Sequence, residues 1–195
     1  MRRWFLSLLI SIASSASAGT WVAYPNDLPQ FDYSGDLLLA HWQALTLISR
    51  VDFPNEEHLH QEMKNYPELA LRTLQAAQQP DAHPALRSVI EGNYEPLSLA
   101  VQQVWRLHFE GRFEQAYELG TQLGPFGKIP AIYSLSMHAA LLVEDKNTKL
   151  DLFAASAEQS EALLPLEPDY AFGQFGLVYA HARTLELLDT SEARA

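Results

Sequence analysis

Residues 111–123 read GRFEQAYELGTQL, and the spacing of their apolar and small side chains decides the class of fold. One stripe follows the i, i+3, i+4, i+7 rule of an amphipathic α-helix. Its members are Phe113, Ala116, Tyr117, Gly120 and Leu123. This segment is therefore predicted to be a helix with one buried face, on which Gly120 leaves room for a neighbouring helix to come close.

The same periodicity recurs along most of the chain. Residues 132–143 and 150–157 repeat it, and a first helix is expected to begin at Ser34 or Asp36. A further helix start is predicted at residues 54–57, where a proline precedes two acids. No segment alternates with period two for long enough to predict a strand. The chain is thus predicted to be all-α, with antiparallel helical hairpins stacked as a short solenoid or bundle.

The N-terminus has the pattern of an export signal. An Arg2-Arg3 pair precedes an apolar run over residues 4–12, and small residues follow up to Ala16-Ser17-Ala18. This order is typical of a secretory signal peptide, and the apolar run is shorter than the roughly twenty residues of a membrane span. We predict a signal peptide over residues 1–18, a mature chain that begins at Gly19, and a periplasmic or secreted protein without a membrane anchor. General and twin-arginine export both stay open.

Residues 19–35 have the composition of a loop. Pro25, Asn26, Asp27 and Pro29 interrupt this stretch, and aromatic residues are interspersed. It is predicted to form an extended N-terminal strap over the first helices. The remainder, residues 36–195, is expected to be the helical domain.

Three prolines lie where helices are expected to begin: Pro96, Pro130 and Pro168. The first two are 34 residues apart, and the third follows 38 residues later. A helix-turn-helix period of about 34 residues is that of the tetratricopeptide repeat. Residues 110–116, EGRFEQA, also resemble that family's inter-helix turn, with Gly111 ending one helix and Ala116 at the tight crossing. Residues 96–188 therefore resemble a degenerate tetratricopeptide repeat array.

The resemblance carries expectations about function. It extends to the tetratricopeptide subunit of tripartite periplasmic transporters, an exported helical protein that accompanies a substrate-binding subunit. It implies a non-catalytic scaffold or adaptor that binds a protein or peptide partner. It also implies that the protein associates with copies of itself. The array is expected to be incomplete at the C-terminus, which would leave Phe175, Val178 and Tyr179 partly uncovered.

Four residues are candidates for a binding surface. In the repeat frame, Trp105 and His108 face the concave side, and the third repeat offers Phe175 and Tyr179 there. Aromatic side chains with a polar edge suit recognition of a peptide or a small ligand. Core packing explains the same residues as well, so both interpretations stay open.

Composition excludes several other classes of function. The formal net charge is −11, from 13 Lys and Arg against 24 Asp and Glu, and the basic residues are scattered. A nucleic-acid partner is therefore not expected. The chain has no cysteine, so it has neither a disulfide nor a thiolate metal site. Residues 124–127, GPFG, are interpreted as a helix-ending turn because they lack the lysine of a phosphate loop.

No catalytic residue, metal ligand or cofactor is predicted. His58 and His60 point to different sides of a helix, and the H-E-x-x-H pattern of zinc enzymes is missing. The alternative is a metal-dependent or hydrolytic enzyme on a helical bundle, with His58, Glu62 or His108 as working residues. It would require a third polar side chain to converge on them.

Overall fold

The computed structural model of the protein describes residues 21–46, 52–166 and 171–188, and within these ranges it contains helices and no strand. The prediction of an all-α fold is therefore confirmed. The helices are α1 (Leu37–Leu45), α2 (Glu56–Asn65), α3 (Pro67–Ala77), α4 (Pro84–Arg87), α5 (Glu95–Phe109), α6 (Phe113–Thr121), α7 (Gly124–Leu141), α8 (Lys146–Glu161) and α9 (Ala171–Leu187), and a 3-10 turn (Ser88–Glu91) follows α4.

The turn between α5 and α6 is closed by Gly111, as the sequence predicted. Its φ is +77°, in the left-handed region that glycine adopts without steric cost. The Gly111 N–H donates to the His108 carbonyl at 3.1 Å, and the Arg112 N–H donates to the Leu107 carbonyl at 2.9 Å. These two bonds form a Schellman motif, which satisfies carbonyls that the end of α5 would leave unpaired.

Two glycines let α6 and α7 cross at very short distance. A Cβ at Gly120 would collide with the Gly127 carbonyl oxygen and would lie 2.8 Å from the Ala131 Cβ. Ala116, on the same helix, is fully buried. The prediction that Gly120 leaves room for a neighbouring helix is confirmed, and any larger residue at this crossing must push the helices apart.

The second half of the chain stacks α5, α7 and α9 side by side. Tyr133 stacks on Phe175 at 5.6 Å between ring centroids, and one turn later the Tyr179 hydroxyl lies 3.5 Å from the Met137 sulfur. Since both contacts join residues 42 positions apart, α7 and α9 run parallel. The antiparallel α6 and α8 connect the three parallel helices. This arrangement presents one face of α5, α7 and α9 as a continuous surface.

Helix α7 corrects the predicted helix starts. Pro96 lies in the first turn of α5, as expected, but Pro130 lies inside α7, which begins at Gly124 with Pro125 in its first turn. Residues 124–127 are therefore the start of a helix and not a terminating turn. The spacing of 34 residues does not join equivalent positions, and Pro168 lies outside the described residues. A proline inside α7 removes one backbone hydrogen bond, a loss that burial around most of this helix outweighs.

Residues 21–33 contain neither helix nor strand and lie against α5, α6 and α7 rather than over the first helices alone. The Val22 N–H donates to Nε2 of His138 at 2.9 Å, and the Trp21 ring lies 4.5 Å from the His138 ring. At the other end, the Tyr33 carbonyl accepts from Nε of Arg106 at 2.7 Å. These backbone contacts hold the segment at both ends because unpaired buried amide groups are costly.

Gly111→Ala is expected to loosen this segment. Glycine at this position has a positive φ, and an added Cβ would lie 2.8 Å from a ring carbon of Tyr24. Gly92 has φ +78°, and no atom of the described residues lies within 4 Å of an added Cβ, so it is a matched control that carries the backbone strain alone. Gly92→Ala should lower the free energy of unfolding by about 1–2 kcal/mol. Gly111→Ala should lower it further and add protease cleavage within residues 21–33, as followed by urea unfolding and limited proteolysis. Equal losses and identical cleavage patterns in the two variants would contradict this.

Residues 1–20 lie outside the described residues, so the signal peptide and a start at Gly19 stay predictions. Within the described ranges, no helix has the length and apolar character to cross a membrane. At the other end of the chain, Val178 and Leu185 of α9 are 64% and 57% exposed, while Phe175 and Tyr179 are half-buried.

Candidate functional site

A cavity of about 630 Å³ opens between residues 21–33, α1, α5, α7 and α9. All four residues that the sequence offered as a binding surface, Trp105, His108, Phe175 and Tyr179, line this one cavity. Apolar and aromatic side chains dominate the remainder of the lining: Tyr24, Phe31, Ala44, Leu45, Thr46, Phe109, Gly111, Phe113, Ile132, Tyr133, Ser136, Met137, Leu141, Gly176 and Arg183. The tertiary structure thus brings together residues that lie as much as 159 positions apart, from Tyr24 to Arg183.

The walls of the cavity are formed by stacked rings. On the α5 side, Trp105 and Phe109 stack at 5.5 Å with an interplanar angle of 19°. On the α7 and α9 side, Tyr133 and Phe175 lie 12° from parallel, and Tyr179 continues the stack 6.2 Å from Phe175. Each of the three parallel helices contributes a pair of large side chains one turn apart. Such walls favour a flat apolar ligand, since offset-stacked rings attract each other beyond simple burial.

His108 is buried in the wall as a neutral imidazole. Its Nδ1 lies 3.0 Å from Oγ of Ser134, whose hydroxyl lies 2.7 Å from the Pro130 carbonyl. The carbonyl can only accept, so the serine hydrogen points to it and His108 must donate through Nδ1. Nε2 is then left as an acceptor. Burial lowers the pKa of His108 to about 4, which keeps the ring uncharged at neutral pH.

Ser134 and His138 are four residues apart on α7 and share one face of that helix, but they have different partners. Ser134 pairs with His108 of a different helix, while His138 accepts the Val22 N–H through Nε2. His138 belongs to the contact with residues 21–33 and does not line the cavity. These two residues therefore do not form a dyad.

Ser136 is a polar member of the lining that sequence reasoning did not select. Its side chain is 3% exposed, and its hydroxyl has no hydrogen-bond partner among the described residues. A buried hydroxyl without a partner carries a desolvation penalty of about 1–3 kcal/mol. Ser136 follows Tyr133 by three residues, so the hydroxyl sits beside an aromatic wall.

Arg183 is the one charged side chain among the described residues of the lining. Its Nη1 lies 2.7 Å from Oε2 of Glu186, and its guanidinium carbon lies 5.0 Å from the centre of the Tyr179 ring. Both the arginine and the glutamate are well exposed, which places this ion pair at the mouth of the cavity. Its charge is therefore partly offset by a neighbouring carboxylate in a solvent-exposed ion pair.

The residues of the enzyme alternative do not converge. His58 and Glu62 lie on α2 and take no part in the cavity that contains His108. In the described part of the chain, no group of three His, Asp or Glu side chains is arranged to hold a metal ion.

Tyr133 and Met137 of α7 were not predicted as site residues, because the apolar stripe of this helix is typical of a buried core helix. The spacing of large side chains along the chain could have indicated these two residues. Trp105 and Phe109 are four residues apart, as are Tyr133 and Met137, and as are Phe175 and Tyr179. A large i, i+4 pair on every second helix is the pattern that the cavity requires.

Comparison of the chain with protein-family models, with curated proteins and with solved structures found no match.

Proposed function

We propose that this protein is an exported, non-catalytic scaffold or adaptor that holds an apolar segment of a protein or peptide partner in the cavity between α5, α7 and α9. The observation that carries the proposal is the cavity itself, about 630 Å³ in volume with stacked aromatic walls. Ligand sites are typically concave, mostly apolar and about 300–1,000 Å³ in size. A core that served packing alone would fill such a space to protein density.

The hydrogen bonds around His108 support a non-catalytic role. A serine nucleophile requires its hydroxyl to donate to a base, whereas the Ser134 hydroxyl lies 2.7 Å from the Pro130 carbonyl and donates there. The imidazole is in turn a donor to that serine. Both groups are thus engaged in holding α5 against α7.

The location and the assembly of the protein belong to the same proposal. The export pattern of residues 1–18 favours the periplasm or secretion. Stacked antiparallel hairpins support the resemblance to tetratricopeptide proteins, and with it the comparison to the subunit of tripartite periplasmic transporters. The exposed Val178 and Leu185 favour self-association through α9.

The proposal is tested by narrowing the mouth of the cavity without disturbing the core. Ala44 lines the mouth and is exposed, so Ala44→Trp should fold normally. Ala154 is exposed on α8 outside the cavity, and Ala154→Trp is the matched control. Each protein, expressed with its own N-terminal sequence and a C-terminal tag, is used to capture partners from periplasmic extract of its host.

We expect one protein partner to be retained by the wild type and by Ala154→Trp. The same partner should be reduced about tenfold in Ala44→Trp, because a blocked pocket removes the anchor residues that dominate such interfaces. Equal capture by all three proteins, as measured by quantitative mass spectrometry, would refute a role for the cavity.

A further inference from the structure

The charges around the cavity restrict its ligand to uncharged groups. No carboxylate lies among the described residues of the lining, and the one cation, Arg183, is bound to Glu186. A charged group that entered would lose its hydration without finding an opposite charge to pair with. Acidic ligands are further disfavoured by the net charge of −11.

The geometry of the walls favours an aromatic group. Tyr133, Phe175 and Tyr179 form one continuous stack, in which successive ring centroids are 5.6 and 6.2 Å apart. Trp105 and Phe109 form a second stack on the α5 side. Trp105 also lies 5.8 Å from Tyr133 between ring centroids, so the two stacks touch. A planar ring that lies against this aromatic surface extends the stacking, whereas an aliphatic chain gains burial alone.

The hydroxyl of Ser136 adds a polar requirement. It is buried in the lining, and none of the described residues gives it a hydrogen-bond partner. A ligand that carries a matching hydroxyl or N–H would satisfy it, and a purely apolar ligand would not. Sites with such a buried polar group discriminate against analogues that lack its partner.

We propose that the cavity recognises an uncharged aromatic side chain with one hydrogen-bonding group, a tyrosine or a tryptophan of a partner peptide, and that Ser136 makes the hydrogen bond. This inference rests on the proposed function, since it names the anchor that the partner inserts. Tyrosine and tryptophan are also the residues that most often act as anchors in protein interfaces. The Ser136 hydroxyl on α7 would then distinguish a tyrosine or tryptophan side chain from an aromatic side chain without a hydrogen-bonding group.

The test compares capped pentapeptides of the form acetyl-Gly-Ala-X-Ala-Gly-amide, with X tyrosine, phenylalanine, glutamate or lysine, by NMR titration of the folded protein. Ser136→Ala removes the hydroxyl and little else. Ser156→Ala is the matched control, because Ser156 is a buried serine on α8 whose hydroxyl bonds the Leu152 carbonyl outside the cavity. Free p-cresol serves as a probe with the same chemistry but no peptide.

For the wild type, we expect the tyrosine peptide to bind about fivefold more tightly than the phenylalanine peptide, the effect of one net hydrogen bond. This ratio should persist in Ser156→Ala and fall to about one in Ser136→Ala, while the glutamate and lysine peptides show no saturable binding.

Equal binding of tyrosine and phenylalanine peptides, or tightest binding of a charged peptide, would overturn the inference and leave the proposed function standing. Saturable binding of p-cresol without binding of any peptide would replace the peptide with a free small molecule. Absence of binding by every probe would also overturn the inference. The proposed function is refuted separately, if the wild type and Ala44→Trp capture the natural partner equally well.

Discussion

Replacing Gly120 with alanine is expected to destabilise the protein by about 3 kcal/mol, the upper part of the range for overpacking. The added methyl group collides with the backbone carbonyl of Gly127 and comes to 2.8 Å from the Ala131 Cβ. A backbone carbonyl cannot move aside as a flexible side chain can, so α6 and α7 must separate. The higher helix propensity of alanine, about 1 kcal/mol, only partly offsets this cost.

Gly176→Ala is the matched control for this substitution. Gly176 is also helical and also close to a neighbour, but its added Cβ would meet the Ser160 hydroxyl at 2.7 Å, and that side chain can rotate. We expect a clearly smaller loss for this variant in urea unfolding monitored by circular dichroism. If Gly120→Ala unfolded at the same midpoint as the wild type, the close crossing of α6 and α7 would be refuted.

Acidification from pH 7 to pH 4 is expected to lower the free energy of unfolding by about 3 kcal/mol through His108 alone. Burial lowers the pKa of this histidine to about 4 in the folded protein, against about 6.5 for an unfolded chain. Because the folded state disfavours the protonated form, the stabilisation is complete above pH 6.5. It is lost progressively as the pH falls from 6.5 towards 4. Stability measured by urea unfolding at several pH values should follow this course.

Other titrating groups can be separated from His108. Burial also lowers the pKa of His138, so this residue adds to the slope in the same direction. Hydrogen bonds from Ser34 and Thr148 lower the pKa of Asp32 and Asp145, and these carboxylates lose their contribution only below about pH 3.8. Among the described residues, the pH dependence of stability between pH 6.5 and 4 is therefore assigned to the buried histidines.

His108→Gln tests the assignment, because glutamine can keep a hydrogen bond to Ser134 but cannot titrate. Its stability should depend less on pH between 6.5 and 4, whereas His181→Gln, at an exposed position on α9, should retain the full slope. An unchanged slope in His108→Gln would show that the neutral state of this imidazole does not contribute to folding.

The helical class of the fold could be predicted from local sequence. A stripe of apolar and small residues with helical spacing reports burial of one face, whatever that face packs against, and residues 113–123 carried this signal clearly. Gly111 was predictable for the same reason, since the end of a helix favours a residue that adopts a positive φ. Trp105, His108, Phe175 and Tyr179 could be selected because aromatic side chains on the inner face of stacked helices meet one another.

The helix boundaries around Pro130 could not be predicted from the local sequence. Two prolines, Pro125 and Pro130, are both compatible with a helix start, and only the burial of α7 on most of its surface decides for the earlier one. The wrong choice displaced the predicted repeat frame. Tertiary packing overrides local preference here because the energy of a buried helix exceeds that of one missing hydrogen bond.

By itself, the sequence determined that the fold is helical and that residues 113–123 carry a buried apolar face, because both depend on spacing along the chain. The tertiary structure alone decided that Ser134 pairs with His108, that His138 accepts the Val22 N–H, and that the Ser136 hydroxyl lies in the cavity without a hydrogen-bond partner among the described residues. These outcomes depend on distances between separate helices. No spacing within one helix encodes such distances, and the geometry of the proposed site therefore appeared only with the packed structure.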